Sequence, residues 1–176
     1  MLNLLKKSLP QVAMGISSLA VAGLVGLTQA SPARAQAAYG SYVGLGAGFG
    51  LTSDANGDGA DVSMVVAGRY KFLKIPMSVR GQLFLFGGST AFVPTVSYDI
   101  PLNFQTDLYI GAGVSFAGGG KPSPVGDQTA FVIQPGVDYA FPNSPVMVFG
   151  NAVIAINGYR EGGTAAAIQG GVGYRF

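Results

Sequence analysis

The stretch Tyr42-Val43-Gly44-Leu45-Gly46-Ala47-Gly48-Phe49-Gly50-Leu51 decides how this chain is read. In an extended backbone Val43, Leu45, Ala47, Phe49 and Leu51 share one face. Tyr42 and the glycines 44, 46, 48 and 50 share the other. Strict period-two alternation is the mark of a strand with one apolar face; a helix would spread those residues around its circumference.

The same alternation recurs seven more times, so that nothing after Tyr39 carries a helical period. The apolar faces begin at Val62, Met77, Phe92, Leu108, Phe131, Val148 and Ile168, in blocks of 10–13 residues or so. Opposite them stand mostly Gly, Ala and Ser, with a few charges near one end of each block. Turn chemistry separates the blocks. The second, fourth and sixth connections (around 73–76, 101–105 and 142–145) are short. The first, fifth and seventh (around 52–60, 118–127 and 157–163) are longer, and Gly87-Gly88-Ser89 departs from this trend. Eight strands with tight turns at one end and long connections at the other predict an antiparallel up-and-down barrel. Pro94 and Pro135 interrupt two strands, and a closed barrel has no edge to hide a missing N–H, so bulges or broken ladders are expected there.

Composition narrows the classes. Charged residues are 10% of the chain and apolar ones 49%, which excludes a disordered chain. Cys and His are both absent, which removes disulfide scaffolds, structural zinc sites and histidine-based catalysis. A net charge of +2 with no basic face excludes a nucleic-acid binder. No cofactor is expected.

Residues 1–37 read as a secretory signal peptide: Lys6 and Lys7, then an apolar run from Val12 to Leu27, then Ser31-Pro32-Ala33-Arg34-Ala35-Gln36-Ala37. Cleavage is expected after Ala35 or Ala37, leaving residues 38–176 as the mature barrel. Loss of Lys6, Lys7 and Arg34 takes the ten basic residues to seven, against eight acidic ones.

Alternation alone does not say whether the apolar face meets a core or lipid. Three features point to lipid. The opposite face is too poor in charge to meet water. Aromatics on the apolar face gather near the strand ends: Phe72, Tyr98, Tyr139, Phe141, Tyr174 and Phe176 at one, Phe49, Phe92, Phe116 and Phe131 at the other. Strands of this length, tilted by ~40°, span a band of about 25–30 Å, as a lipid-facing barrel requires. The fold expected is therefore all-β, an eight-stranded antiparallel transmembrane β-barrel preceded by a signal peptide.

The chain resembles the small eight-stranded outer-membrane barrels of the OmpA/OmpX-like, porin-family group. Its end, Gln169-Gly170-Gly171-Val172-Gly173-Tyr174-Arg175-Phe176, is similar to their C-terminal assembly signal, with Gln169, Gly171, Tyr174 and Phe176 in its four positions. The resemblance implies outer-membrane localisation, contact with outer-membrane lipid and recognition by the outer-membrane assembly machinery. A monomer is the default expectation.

Two polar sets remain. Asp54, Asn56 and Asp58 alternate like the first half of a calcium loop, but Val65 stands where the bidentate Glu belongs. A surface turn is the reading, with weak calcium binding the alternative. The inward charges Arg69, Lys71, Arg80, Asp99, Asp107, Asp138 and Arg175 converge near the tight-turn end. Arg80 is placed to answer Asp99 and Asp107, with the others completing a ring. An ion-pair cluster filling the lumen, and a structural or surface-interaction role without enzymatic activity, is the functional expectation. The alternative is a narrow porin for ions or small solutes.

Overall fold

The computed structural model describes residues 40–54, 62–85, 89–118 and 121–176. The signal-peptide segment, Asn56, Asp58 and Phe86 lie outside the described residues. Eight strands follow one another: β1 (Tyr42–Gly50), β2 (Val62–Phe72), β3 (Met77–Leu85), β4 (Thr90–Pro101), β5 (Thr106–Gly118), β6 (Ala130–Ala140), β7 (Val146–Ile156) and β8 (Ala165–Arg175). Each pairs antiparallel with its neighbour in sequence, and β8 pairs with β1, so the sheet closes. The eight strands coincide with the eight alternating blocks.

Register fixes the shape of the barrel. One circuit of cross-strand partners runs Tyr42, Arg69, Arg80, Thr95, Gly113, Val132, Ala155, Ala165. Continuing the β8–β1 ladder brings it back to β1 about ten residues beyond its start. That stagger tilts the strands by roughly 40° and sets a diameter that side chains alone can fill.

The prolines give broken ladders rather than bulges. Between β4 and β5 the pairing stops after Phe92–Phe116 and resumes at Thr95–Gly113 in unchanged register, stepping over Pro94. Between β6 and β7 it stops after Ile133–Ile154 and resumes at Gly136–Asn151, stepping over Pro135. Because no residue is inserted, the inside–outside alternation survives both breaks.

The faces divide as the alternation predicts. Val43, Leu45, Tyr70, Val96, Ile110, Phe131 and Val172 are exposed on the outer wall, and none of the outward positions of the described strands is charged. Inside, Val65, Phe84, Val93, Val132 and Val153 are wholly buried, alongside the charged residues. Along the described strands the charged side chains lie within the barrel and an uncharged, largely apolar face covers it, the inverse of a soluble domain.

Candidate functional site in the barrel lumen

The lumen is layered along its axis. At the tight-turn end β2 contributes Arg69 and Lys71, β3 Arg80, β4 Asp99, β5 Asp107 and β6 Asp138. Each is an inward position within a few residues of a short turn. Asp138 Oδ2 accepts from Arg69 Nη1 at 2.8 Å and from Arg80 Nη2 at 2.9 Å. Asp107 Oδ2 lies 2.6 Å from Lys71 Nζ and 3.4 Å from Arg69 Nη1. Asp99 Oδ1 is 3.2 Å from Arg80 Nη2, and its Oδ2 is 3.8 Å from Lys71 Nζ. Three cations thus meet three carboxylates with no net charge.

Neutral groups extend the network. Ser78 and Ser97 donate hydroxyl protons to Asp99, and Arg80 Nε donates to Ser97 Oγ at 2.9 Å. Tyr42 OH reaches Asp138 Oδ1 at 3.5 Å. The Arg80 guanidinium lies over the Tyr109 ring at 3.3 Å, and Tyr42 stacks on Phe149. Desolvating six charges is costly, and multiple hydrogen bonds of this kind are what make such a cluster tolerable.

Arg175 stands at the rim, where its Nη2 donates to the Ser144 carbonyl in the β6–β7 turn at 2.6 Å. Asp138 takes Arg69 and Arg80. Ser78, Ser97 and Tyr42 were not singled out from sequence. Their only signal there was an inward position beside an inward charge.

Above the charges comes a band of amides and hydroxyls. Thr95 Oγ1 donates to Gln134 Oε1, and Gln169 Nε2 to Asn151 Oδ1, each at 2.7 Å. Further up, toward the long connections, the lumen turns apolar with Val65, Phe84, Val93, Val132, Val153 and Ala165. The lumen glycines are the walls against which the large side chains lie. A Cβ on Gly44 would come within 2.9 Å of the Phe149 ring, on Gly171 within 2.6 Å of it, and on Gly48 within 3.0 Å of the Phe84 ring.

At that end part of the β5–β6 connection is buried against the β7–β8 connection. Pro122–Gly126, between β5 and β6, turns inward and Val125 is wholly buried. Ser123 and Gly126 exchange backbone hydrogen bonds at 2.8 and 2.9 Å, closing the turn. Gly126 has φ +100° and packs so closely on the Gly158 backbone that no side chain fits there. Asp127 N donates to Gly158 O, and Gln128 Nε2 to the carbonyls of Asn157 and Tyr159, tying this segment to the β7–β8 connection. Tyr159 is buried and donates to the Thr52 carbonyl at 2.8 Å. Burial of its ring, helped by Asp54 and Asp127 nearby, holds its phenol above the ordinary value.

Of the four residues expected to form an assembly signal, Gln169 and Gly171 face the lumen, whereas Tyr174 and Phe176 stand exposed on the outer wall. Asp54 is placed just beyond β1; its two companions in the calcium pattern lie outside the described residues.

No family model and no curated protein matches this chain. Solved structures do match it. One, from work on the de novo design of transmembrane β-barrels, is 9% identical, with a TM-score of 0.56 over 78% of this chain and 95% of that one. Another, the crystal structure of Neisserial surface protein A (NspA), is 17% identical, with a TM-score of 0.54 over 78% of this chain and 98% of that one. The chain has the fold of a transmembrane β-barrel. At such identities the likeness extends to architecture alone, and what the lumen does is argued from its own residues.

Proposed function

We propose that this chain is an exported outer-membrane barrel of the OmpA/OmpX-like kind, with a structural or surface-interaction role and no catalytic activity. A signal peptide ending at Ala35 or Ala37 takes it across the inner membrane. The outer-membrane assembly machinery reads Gln169, Gly171, Tyr174 and Phe176, and the barrel sits in outer-membrane lipid as a monomer.

The observation that carries the role is burial of side chains at both ends of the lumen. A neutral ion-pair cluster fills the tight-turn end, and at the other the buried Pro122–Gly126 segment packs on the β7–β8 connection. A permeation path needs continuous water or polar surface, whereas the upper lumen is lined chiefly by valines and Phe84, with Ser63, Gln82 and Ser115 set among them. Function then rests on what the barrel presents outside and at its loops. Planar-bilayer recording tests this. The wild-type barrel is expected to give no steady conductance, while Arg80→Ala, which removes the cation shared by Asp99 and Asp138, gives intermittent leak. Large, steady wild-type conductance matching that of the variant would replace this reading with the narrow porin.

A further inference from the structure

The middle level of the lumen holds more polar atoms than its own side chains satisfy. The stagger of the strands brings Gln82 on β3, Thr95 on β4, Gln134 on β6, Asn151 on β7 and Gln169 on β8 to roughly one height. All five are buried, Gln134 completely. Thr95 bonds to Gln134, and Gln169 to Asn151. That leaves Gln134 Nε2, Gln169 Oε1 and Gln82 Oε1 with no hydrogen-bond partner among the described residues, and Arg80 Nη1 just beneath them is in the same position. Turning an amide about does not help Gln134 or Gln169, since each makes one bond and keeps one atom over whichever way round it sits. The other three strands cannot answer these atoms, because they bring Gly46, Ala67 and Gly113 to this height. The same small residues leave the space opposite the amides free of side chains.

We propose that this level is a hydration site, holding a small fixed cluster of water molecules inside the barrel. Buried polar atoms left unpaired are few in native proteins, and ordered water is their usual partner where the surroundings are polar and roomy. The chemistry of the four atoms selects the occupant. Gln134 Nε2 and Arg80 Nη1 are donors, and Gln82 Oε1 and Gln169 Oε1 are acceptors. A cation would face the Arg80 guanidinium, and an anion would face the two amide oxygens. Water donates and accepts, and so answers both pairs. The cluster is bounded along the axis. Val65, Val93, Val132 and Val153 above it are apolar and wholly buried, and Asp107 and Asp138 below it are wholly buried among their cations. Arg80 thereby belongs to two networks, through Nη2 to the carboxylates and through Nη1 to the water. The site rests on the barrel fold and its register, and not on the lumen being closed to solutes.

Nuclear magnetic resonance of the isotope-labelled barrel, folded in detergent micelles, tests the site. Water contacts are read in the rotating frame, where contact with a bound water and proton exchange differ in sign. Wild type is expected to show bound-water peaks at the side-chain amide protons of Gln82, Gln134 and Gln169, and none at the methyls of Val65, Val132 and Val153. Gln82→Met removes one anchor at nearly constant volume. The peaks at Gln134 and Gln169 should then weaken, and the unfolding equilibrium in a urea titration should move about fivefold toward the unfolded state, the worth of one net hydrogen bond. In a dry lumen the same change deletes an unpaired buried oxygen and moves the equilibrium toward the folded state, so the sign decides. Heat-modifiability shows whether the variant is folded, and the wild-type peaks carry the test if it is not. Absence of peaks at the glutamines, a gain of stability in Gln82→Met, or equally strong peaks at the valine methyls, the mark of a continuous water column, would each overturn the proposal. A dry middle level leaves the non-conducting reading standing, and steady conductance with water confined to the amides removes that reading alone.

Discussion

Arg80 shows how much a single buried side chain holds in this barrel. Its guanidinium is 2% exposed, paired with Asp99 and Asp138 and laid on Tyr109. Arg80→Ala leaves those carboxylates desolvated and short of a cation. Breaking a buried pair in this way costs about 3–5 kcal/mol, more than the intact pair is worth. Urea titration of the barrel in lipid vesicles measures it, and a loss under about 1 kcal/mol, typical of exposed pairs, would mean that water reaches the cluster. The members of this cluster were legible in the sequence, because each is an inward position close to a tight turn. The pairings were legible only in part. Sequence reasoning set Arg80 between Asp99 and Asp107; it does reach Asp99, but Lys71 is the residue that spans those two, and the second carboxylate of Arg80 is Asp138. Which side chains meet across a lumen depends on the stagger of the whole sheet, and period-two alternation carries no information about stagger.

At the scale of elements, strand positions and faces follow from alternation alone, and β7 shows how far that goes. Its two faces are both largely apolar, yet Met147, Phe149, Asn151, Val153 and Ala155 turn inward as their parity requires. The glycine-rich β1 and β8 make room for that strand. Gly171→Val would drive a side chain into the Phe149 ring and the Gly46 backbone. Overpacking of this kind costs about 1–3 kcal/mol. Adding Phe149→Ala should recover part of the loss, and a strictly additive double mutant in the same urea titration would deny the contact. The connections were less legible, because an inserted loop has no period. Pro122-Ser123-Pro124-Val125 offers only one apolar residue among turn formers, and nothing local says that it folds inward. Its anchor, Tyr159, should respond to pH. The phenol donates to Thr52, so only the neutral form keeps the bond. With its folded value raised above 10.0, the stabilisation is present in full below that pH and is lost as pH climbs through the raised value. The chain has no cysteine, so Val125→Cys reports opening by its rate of thiol labelling. Labelling should accelerate above pH 10 or so with Tyr159 present and be fast and flat in Tyr159→Phe; the same pH curve in both would remove Tyr159 from the anchor.

The whole molecule is held by closure. Every strand has two neighbours, and the last seam to form in chain order joins β8 to β1, from Tyr42–Arg175 to Gly50–Ala167. Closure removes the edges that would otherwise be unsatisfied in hydrocarbon. Phe176 sits at the end of that seam with two separable roles. Its backbone N–H donates to the Ser41 carbonyl at 3.0 Å, extending the ladder, while its ring, 74% exposed, stands on the outer wall beyond Tyr174. The ring contributes little to packing, so the folded state alone gives weak reason to keep it. On the proposed reading it is instead the element that the assembly machinery grips. The two roles predict different outcomes for two variants. Phe176→Ser keeps the backbone bond and removes the ring; if the ring is the signal, the protein should accumulate as a periplasmic aggregate or be degraded, although the same variant refolds from urea into vesicles nearly as well as wild type. Phe176→Tyr keeps an aromatic ring and should assemble normally. Fractionation with heat-modifiability on gels measures assembly in cells, and intrinsic tyrosine fluorescence follows refolding in vitro. Normal amounts of folded Phe176→Ser in the outer membrane would dismiss the signal. Failure both in cells and in vesicles would assign the ring to closure of the barrel itself.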